Sequence, residues 1–390
     1  MSRFAIFLLV LHVALFGLGY YVHRRSTKVF GLQRRGRWIL ALSMIAGVAL
    51  FSLSRILDVS NGVQVVMSIA GTCVALGIVM AAGLLFHVDA AGGVWWAIDK
   101  VRKAPKPAEG ATMTRRKFVE KTSAAAIVTG VGSSSYGALL GRHDYALETV
   151  AIPLPGLPRQ LDGYTIVQLS DIHFGTFVQE PELRTAEALV RDARPDAIVL
   201  TGDLVDHDPR YVSFLGELVR RLGSLSRDGV FAIPGNHDHY AGVEEVVDTL
   251  RRAGAAALVN DGRVIADGSI ALLGVDDLWA RRASGSGGPD LQRALDQVPE
   301  ALPKILLAHQ PVFFEQSAAH VQLQLSGHTH GGQVSLGWNP AEIVLPHGWV
   351  RGRYDELGST LYVNRGFGTA GPPARVMSPP EVTKIVLTSA

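Results

Sequence analysis

Cysteine and charged residues are both scarce in this sequence. Cys73 is the single cysteine among 390 residues, so a disulfide framework and a cysteine-based zinc site are excluded. Only 18% of the residues are charged, whereas 48% are hydrophobic. This composition excludes a disordered chain and argues against a purely soluble one.

The few charges are divided unevenly along the chain. Residues 1–144 carry a net charge of +11 and residues 145–390 a net charge of −9. We therefore predict two domains with a boundary at this point. The second is long enough to bury a complete core. Its negative charge disfavours extended nucleic acid as a ligand, because such binding depends on cationic side chains.

The first domain contains three uncharged segments of a length that can span a bilayer, at residues 4–22, 38–54 and 62–86. At a rise of 1.5 Å per residue, about 20 helical residues cross a hydrocarbon core roughly 30 Å thick. The second and third segments have no polar face at helical spacing, which argues against a buried core helix. The sequence predicts a multi-pass region of transmembrane helices.

Basic residues between these segments predict their orientation. The loop 23–37 has six basic residues and no acidic one, and the stretch 88–121 has eight basic and four acidic residues. The positive-inside rule places both in the cytoplasm. We expect a protein of the bacterial cytoplasmic membrane whose second domain lies on the extracytoplasmic side.

A fourth uncharged segment, 122–141, is weakly hydrophobic because half of its residues are Ser, Thr or Gly. It follows a string at 114–119, Thr114-Arg115-Arg116-Lys117-Phe118-Val119, which resembles the twin-arginine export signal. Val119 and Glu120 depart from that signal, and the string lies far inside the chain. The alternative is that the two arginines anchor an ordinary fourth transmembrane helix. If the string is an export signal, we expect the twin-arginine machinery to be a partner of the protein and the second domain to cross the membrane already folded.

The second domain alternates short apolar runs with helical patterns, which predicts an α/β fold. Proline and glycine predict linkers at 104–111 and 152–158. We predict strands at Tyr164–Leu169, Ala197–Leu200, Val230–Ile233, Ile270–Gly274, Lys304–Ala308, Gln322–Leu325, Thr360–Asn364 and Val382–Leu387. We predict helices at Pro181–Arg194, Tyr211–Leu225, Val243–Ala253 and Asp290–Gln297.

Polar clusters directly follow five of these strands. They are Ser-Asp171-Ile-His173, Gly202-Asp203-Leu-Val-Asp206, Gly235-Asn236-His237-Asp238, Ala-His309-Gln-Pro and Gly327-His328-Thr-His330. Because ligands of open α/β sheets bind at the carboxyl ends of strands, we expect these clusters to meet in one cleft. Asp, His and Asn without Cys suit divalent ions of intermediate hardness, and the set is large enough for two. Two adjacent metal ions commonly promote displacement at phosphorus.

The order of these motifs resembles the calcineurin-like metallophosphoesterase superfamily over residues 160–390. Two later strings, Tyr362-Val-Asn-Arg365-Gly-Phe-Gly-Thr and Ser378-Pro-Pro-Glu381-Val, are similar to its membrane-associated bacterial branch. That branch includes exported phosphodiesterases and UDP-2,3-diacylglucosamine hydrolases. The resemblance implies a metallophosphoesterase β-sandwich flanked by helices, in four αββα layers.

The resemblance also implies a role for each motif residue. One metal ion would be held by Asp171, His173, Asp203 and His330. Asp203 would bridge to a second ion completed by Asn236, His309 and His328. The two ions would be manganese, iron, zinc or cobalt, and a hydroxide shared between them would attack phosphorus. His237 would not be a ligand: oriented by Asp206, it would stabilise the developing charge or protonate the leaving oxygen.

Other polar residues have less defined roles in the sequence. Arg365 follows a strand and is a candidate phosphate clamp. We interpret His239 and His320 as surface or supporting groups. Asp276 and Asp277 follow a strand, so they either contact substrate or form a turn.

These observations predict a phosphodiesterase or pyrophosphatase at the membrane, with a small or lipid-linked phosphoester as substrate. The alternative is a non-catalytic membrane sensor or scaffold with a retained metal site. Degenerate relatives usually lose a ligand or the motif histidine, whereas every motif position is filled in this sequence.

Overall fold

The computed structural model describes residues 3–57, 59–102, 114–335 and 337–389. The chain divides into two compact units, Met1–Leu140 with Pro372–Ala374 and Gly141–Gly371 with Arg375–Ala390. The main boundary, between Leu140 and Gly141, lies close to the change in net charge at residue 144. The linker predicted at 104–111 lies outside the described residues.

The first unit is helical. Its helices are α1 (Arg3–Val29), α2 (Arg34–Leu53), α3 (Asn61–Arg102) and α4 (Arg115–Leu139). Among the described residues, three stretches are long and apolar enough to cross a membrane: Arg34–Leu53, Asn61–Ile98 and Arg116–His143. Helix α3 continues 16 residues beyond the predicted end at residue 86. The basic stretch 88–121, predicted to lie in the cytoplasm, therefore begins as part of α3. It is helical as far as Arg102, and no proline interrupts the helix before that residue.

Small residues allow the helices of the first unit to approach closely. A Cβ atom on Gly71 of α3 would overlap the backbone of Phe51 in α2, and one on Gly130 of α4 would overlap the backbone of Ala81 in α3. Close approach at small residues is typical of helices that associate in a membrane, where burial of apolar surface gives little driving force.

The second unit contains two six-stranded sheets. The strands are β1 (Ala146–Leu154), β2 (Thr165–Leu169), β3 (Ala197–Thr201), β4 (Val230–Ile233), β5 (Ala256–Ala257), β6 (Asp261–Ile265), β7 (Ile270–Gly274), β8 (Lys304–Leu307), β9 (Leu323–Ser326), β10 (Gly352–Glu356), β11 (Ser359–Val363) and β12 (Glu381–Ser389). The first sheet has the order β1-β12-β2-β3-β4-β5, and the second has the order β10-β11-β9-β8-β7-β6. Strands β2, β3 and β4 are parallel neighbours, as are β7, β8 and β9.

Among the described residues of this unit, eight α-helices accompany the sheets: α5 (Glu180–Ala193), α6 (Val212–Gly223), α7 (Asn236–Ala241), α8 (Val243–Arg252), α9 (Ala280–Ser284), α10 (Leu291–Leu295), α11 (Phe314–Ser317) and α12 (Ala341–Val344). All predicted strands and helices of this unit are present, with ends within two residues of those predicted.

Alternate side chains of each strand face different layers. Ile166 and Val199 of the first sheet pack against Leu272, Ile305 and Leu325 of the second, which forms the core between the sheets. On the other face of the first sheet, buried strand residues pack against helices α5, α6 and α8. On the outer face of the second sheet, buried residues of its own strands pack against α10. The mixed α/β prediction is confirmed, and the packing gives four layers.

The predicted linker at 152–158 is wrong in its first half. Residues up to Leu154 belong to β1, which pairs in parallel with β12, and the side chains of Ile152 and Leu154 are fully buried. Pro153 is tolerated because β1 is an edge strand, where one side of the backbone needs no hydrogen-bond partner. The three prolines of this segment predict a linker, but its first residues form an edge strand of the sheet.

Candidate metal centre

The polar clusters follow strands from both sheets and meet at their carboxyl ends. The seven side chains proposed as metal ligands lie directly after five strands. They belong to the loops that follow β2, β3, β8 and β9 and to the start of α7, which follows β4. Six of the seven residues are buried and His328 is half-buried; they are Asp171, His173, Asp203, Asn236, His309, His328 and His330. Side chains up to 159 positions apart in sequence thus line one site.

One group of donor atoms is formed by Asp171, His173 and His330, whose ligand atoms all lie within 4.8 Å of one another. The two imidazole Nε2 atoms are 3.0 Å apart, and Oδ1 of Asp171 lies 3.4 Å from Nε2 of His330. Nitrogen and carboxylate oxygen donors directed at a common point are suited to a divalent ion.

A second group is formed by Asp203, His309 and His328. Nε2 of His309 lies 3.2 Å from Oδ2 of Asp203 and 3.3 Å from Nδ1 of His328. Oδ1 of Asn236 is buried and accepts no hydrogen bond from any residue that the structure describes. A buried oxygen without a donor requires another partner, and a cation supplies one. The residues present therefore fit a metal ion at this position too.

Asp203 connects the two groups. Its Oδ2 atom lies 3.7 Å from Nε2 of His173, in addition to its contact with His309. Its Oδ1 atom accepts a hydrogen bond of 2.7 Å from the backbone N–H of His237, which fixes the carboxylate plane. One carboxylate is thus directed at both donor groups.

Neighbouring groups orient several of the proposed ligands. Nδ1 of His309 donates to the carbonyl oxygen of Thr201 at 2.8 Å, so Nε2 is the ring nitrogen that is directed at the site. Asp171 accepts hydrogen bonds from the Ser170 hydroxyl and from the backbone N–H of His328. Burial lowers the pKa of His173 to about 4 and that of His328 to about 4, which favours the neutral imidazole that a metal needs.

Five of the seven ligand positions have a left-handed backbone. The φ angles are +49° at Asp171, +48° at His173, +51° at Asp203, +69° at His328 and +51° at His330. This conformation costs roughly 1–2 kcal/mol per non-glycine residue. Strained backbone conformations persist mainly where the surrounding structure fixes them, and they cluster at functional sites.

His237 and Asp206 lie beside these two donor groups, and His237 also forms a third group of possible metal ligands with His173 and Asp203. Nδ1 of His237 is 3.2 Å from Oδ1 of Asp206, and the His237 ring contacts the His173 ring edge to face. Burial opposes charge on both side chains, but their hydrogen bonds and the neighbouring charges outweigh it. The pKa of His237 is therefore raised, and hydrogen bonds from His207 and His237 lower the pKa of Asp206 far below its usual value.

Arg365, the candidate phosphate clamp, is already ion-paired in the structure. Its Nη2 atom lies 2.6 Å from Glu148, and its Nε atom lies 2.7 Å from the buried Glu381. Because two carboxylates already engage the guanidinium, a phosphate would have to compete with them. Arg365 is therefore better explained as an ion-paired link between β1 and β12.

The remaining candidates are supporting or surface groups. Nε2 of the buried His239 lies 2.8 Å from Oδ1 of Asp276, and both carboxylate oxygens of Asp277 accept hydrogen bonds from Gln310. Gln310 directly follows His309, so Asp277 holds the loop that carries a ligand. His320 is exposed at the surface.

Two buried residues around the site had no role assigned from the sequence. The fully buried Arg375 donates to the carbonyl oxygens of His330, Arg365 and Gly366, and its Nη2 atom lies 3.1 Å from Nδ1 of His330. Asp238 accepts hydrogen bonds from the backbone N–H groups of three residues, namely Leu204, Val205 and Gly235. Position within a motif could have indicated Asp238, whereas no sequence signal indicates Arg375.

A two-sheet α/β fold with buried histidine and aspartate clusters able to hold metal is that of a metallophosphoesterase. Residues 164–332 match the profile of the calcineurin-like phosphoesterase family. The chain is 33% identical over 289 residues to the metallophosphoesterase YkuE of Bacillus subtilis, which covers 71% of this chain and 98% of that protein. The chain belongs to the calcineurin-like phosphoesterase family, which points to phosphoester hydrolysis.

Two further proteins are similar to this chain. A transmembrane protein with metallophosphoesterase domain from Danio rerio is 36% identical over 284 residues, which are 69% of this chain and 63% of that protein. This chain therefore spans less than two thirds of that relative. A crystal structure of a dimetal phosphatase from Danio rerio has 13% identity and a TM-score of 0.37, and covers 53% of this chain and 88% of that one. The transmembrane relative and the apolar helices together indicate a membrane protein.

Proposed function

We propose that the protein is a dinuclear metal-dependent hydrolase of phosphodiesters or phosphoanhydrides in lipid-linked substrates. The observation that carries this proposal is the position of Asp203 between two groups of donors, with Oδ2 within 3.7 Å of His173 and 3.2 Å of His309. A carboxylate shared in this way suits two cations a few ångströms apart, which is the usual separation in two-metal sites.

Each ion has its own ligands in this proposal. Asp171, His173 and His330 would hold the first, Asn236, His309 and His328 the second, and Asp203 would contact both. Two divalent ions, when bound, would attract phosphoryl oxygens and lower the pKa of a nucleophilic water. Asn236 contributes no charge, which leaves the centre cationic toward a phosphate.

His237 would donate a proton to the leaving oxygen. Its Nδ1 atom faces Asp206 at 3.2 Å, so the carboxylate orients the ring and stabilises its protonated form. The raised pKa keeps the imidazole protonated at a higher pH than a free histidine. General acid catalysis of this kind typically accelerates a reaction by about 10²–10⁴-fold.

Exposed apolar side chains beside the metal centre support an amphiphilic substrate. Trp338 is 49% exposed, and Ile343 and Val344 of α12 are 78% and 80% exposed. Asn339 connects this segment to the site, because its Nδ2 atom donates to the carbonyl oxygen of Gly331 at 2.9 Å, next to His330. Tryptophan with exposed aliphatic residues is typical of surfaces that contact lipid.

The proposed setting is the bacterial cytoplasmic membrane, with the second unit on the extracytoplasmic side. The basic loops 23–37 and 88–121 support this orientation. The net charge of −9 in residues 145–390 supports a small or lipid-linked substrate rather than extended nucleic acid. Export through the twin-arginine machinery is proposed on the string at 114–119 alone.

The full-length protein should be purified in detergent and assayed with manganese, iron, zinc or cobalt. We expect hydrolysis of bis-p-nitrophenyl phosphate and of at least one lipid phosphodiester or lipid diphosphate. Asp203→Asn should abolish both activities, whereas Asp248→Asn, an exposed change on α8, should leave them intact. Retained metal with no hydrolysis of any phosphoester would favour the sensor or scaffold alternative.

A further inference from the structure

A cavity of about 430 Å³ lies between α1 and α4 within the first unit. It is lined by three basic side chains, one acidic side chain and two valines: Arg25, Lys28, Val29, Arg116, Val119 and Glu120. The lining thus combines an excess of positive charge with apolar surface. Soluble anions would use the charge alone, whereas an anionic amphiphile would use both.

A network behind the cavity fixes one of its cations. Arg25 forms an ion pair with Asp89 of α3, and the Tyr21 hydroxyl donates to the same carboxylate at 2.6 Å. The side chain of Arg25 is 20% exposed, so its position is set by these partners rather than by solvent. Helices α1 and α3 therefore present Arg25 to the cavity in a defined orientation.

The other two cations carry charge that no such network neutralises. Lys28 and Arg116 form no ion pair with any residue in the described part of the chain, and both are exposed at the cavity. Glu120 is the one acidic residue among the lining side chains. An anionic group placed between Lys28 and Arg116 would gain two favourable interactions.

The cavity also lies where an apolar span begins. Arg116 is the first residue of the stretch Arg116–His143, which is long and apolar enough to cross a membrane. Val29 and Val119 supply the apolar part of the lining. Basic pockets between membrane helices, at the level of the lipid headgroups, are typical sites for anionic phospholipids.

We propose that this cavity binds the headgroup of an anionic phospholipid, with the phosphate between Lys28 and Arg116 and the first methylene groups against Val29 and Val119. The proposal is independent of the reaction at the metal centre. It also gives Arg116 and Val119, which belong to the string resembling an export signal, a function in the folded protein.

The test measures lipid selectivity of the full-length protein. The protein is reconstituted into phosphatidylcholine vesicles with a trace of spin-labelled phosphatidylglycerol or spin-labelled phosphatidylcholine. Electron paramagnetic resonance then gives the motionally restricted fraction of each. We expect preferential restriction of phosphatidylglycerol, and a loss of roughly tenfold or more in relative affinity for the double variant Lys28→Gln/Arg116→Gln.

A matched control removes the same charge away from the cavity. Arg34→Gln/Arg35→Gln, at exposed positions at the start of α2, should leave the selectivity unchanged. Equal losses in the two double variants would overturn the proposal, because general surface charge would then explain the preference. Displacement of the labelled lipid by inorganic phosphate would overturn the lipid assignment, and a wild-type protein that does not distinguish the two lipids would overturn the site itself.

Discussion

The Nε2 atom of His309 lies 3.2 Å from Oδ2 of Asp203, while Nδ1 of the same ring donates to the carbonyl oxygen of Thr201. The imidazole therefore presents Nε2 to the carboxylate oxygen that also faces His173. An ion at this position would share Asp203 with a second ion, so the two sites should be lost or kept together.

Asp203→Asn should remove both ions. The amide has one oxygen and no charge, so neither donor group retains its shared carboxylate. Metal affinity should fall by more than the 10–100-fold that loss of an outer partner typically costs. Elemental analysis of the purified variant measures this, with Asp248→Asn as the control. Two ions per chain in the variant would contradict the shared role.

His237→Asn should lower turnover by about 10²–10⁴-fold while metal content stays that of the wild type. Nδ1 of His237 is engaged by Asp206, and each proposed ion keeps its other ligands, although the His237 ring also lies close to His173 and Asp203. Parallel measurement of kcat and bound metal separates the two roles. Loss of metal would show that His237 is a ligand.

Asp206→Asn should move the alkaline limb of the pH–rate profile to lower pH. Asp206, together with the charges of Asp203 and Asp238, outweighs burial and raises the pKa of His237, so the wild type keeps its proton donor to higher pH. Without the negative charge, burial lowers that pKa and the donor is lost earlier as pH rises. The profile of kcat at saturating metal tests this, and an unchanged limb would assign it to another group.

Asp238→Ala should destabilise the second unit more than Asp238→Asn. The alanine variant leaves the buried N–H groups of Leu204, Val205 and Gly235 without their acceptor, at about 1–3 kcal/mol for each unpaired group. The asparagine variant keeps one oxygen acceptor. Thermal unfolding of both variants in detergent provides the comparison, and equal stability would show that water replaces the carboxylate.

Arg365→Gln should lower the free energy of unfolding by roughly 2 kcal/mol and leave KM for the phosphoester within about threefold of the wild type. The guanidinium is engaged by Glu148 and Glu381, so its loss breaks contacts between strands rather than a substrate contact. Steady-state kinetics and thermal unfolding decide between the two. A large increase in KM with unchanged stability would restore the role of a phosphate clamp.

The interior strands of the second unit were predictable because continuous apolar runs such as Val230–Ile233 are buried on both faces. The edge strands β1 and β10 were not predictable, because β1 contains a proline and β10 carries exposed charged side chains. The motif residues could be predicted because each follows a strand directly. Arg375 could not, because its partners are backbone carbonyls that only the folded chain brings together.

Strand β12 lies between β1 and β2 in the first sheet, although more than 200 residues separate it from either in sequence. At 5–20 residues per second, a ribosome needs on the order of 10 to 50 s to proceed from β1 to β12. Until then, both neighbours have unpaired edges that can associate with other nascent chains. The helices of the first unit leave the ribosome before β12 is made, so the cell must keep a half-built sheet from aggregating while those helices are already available for insertion.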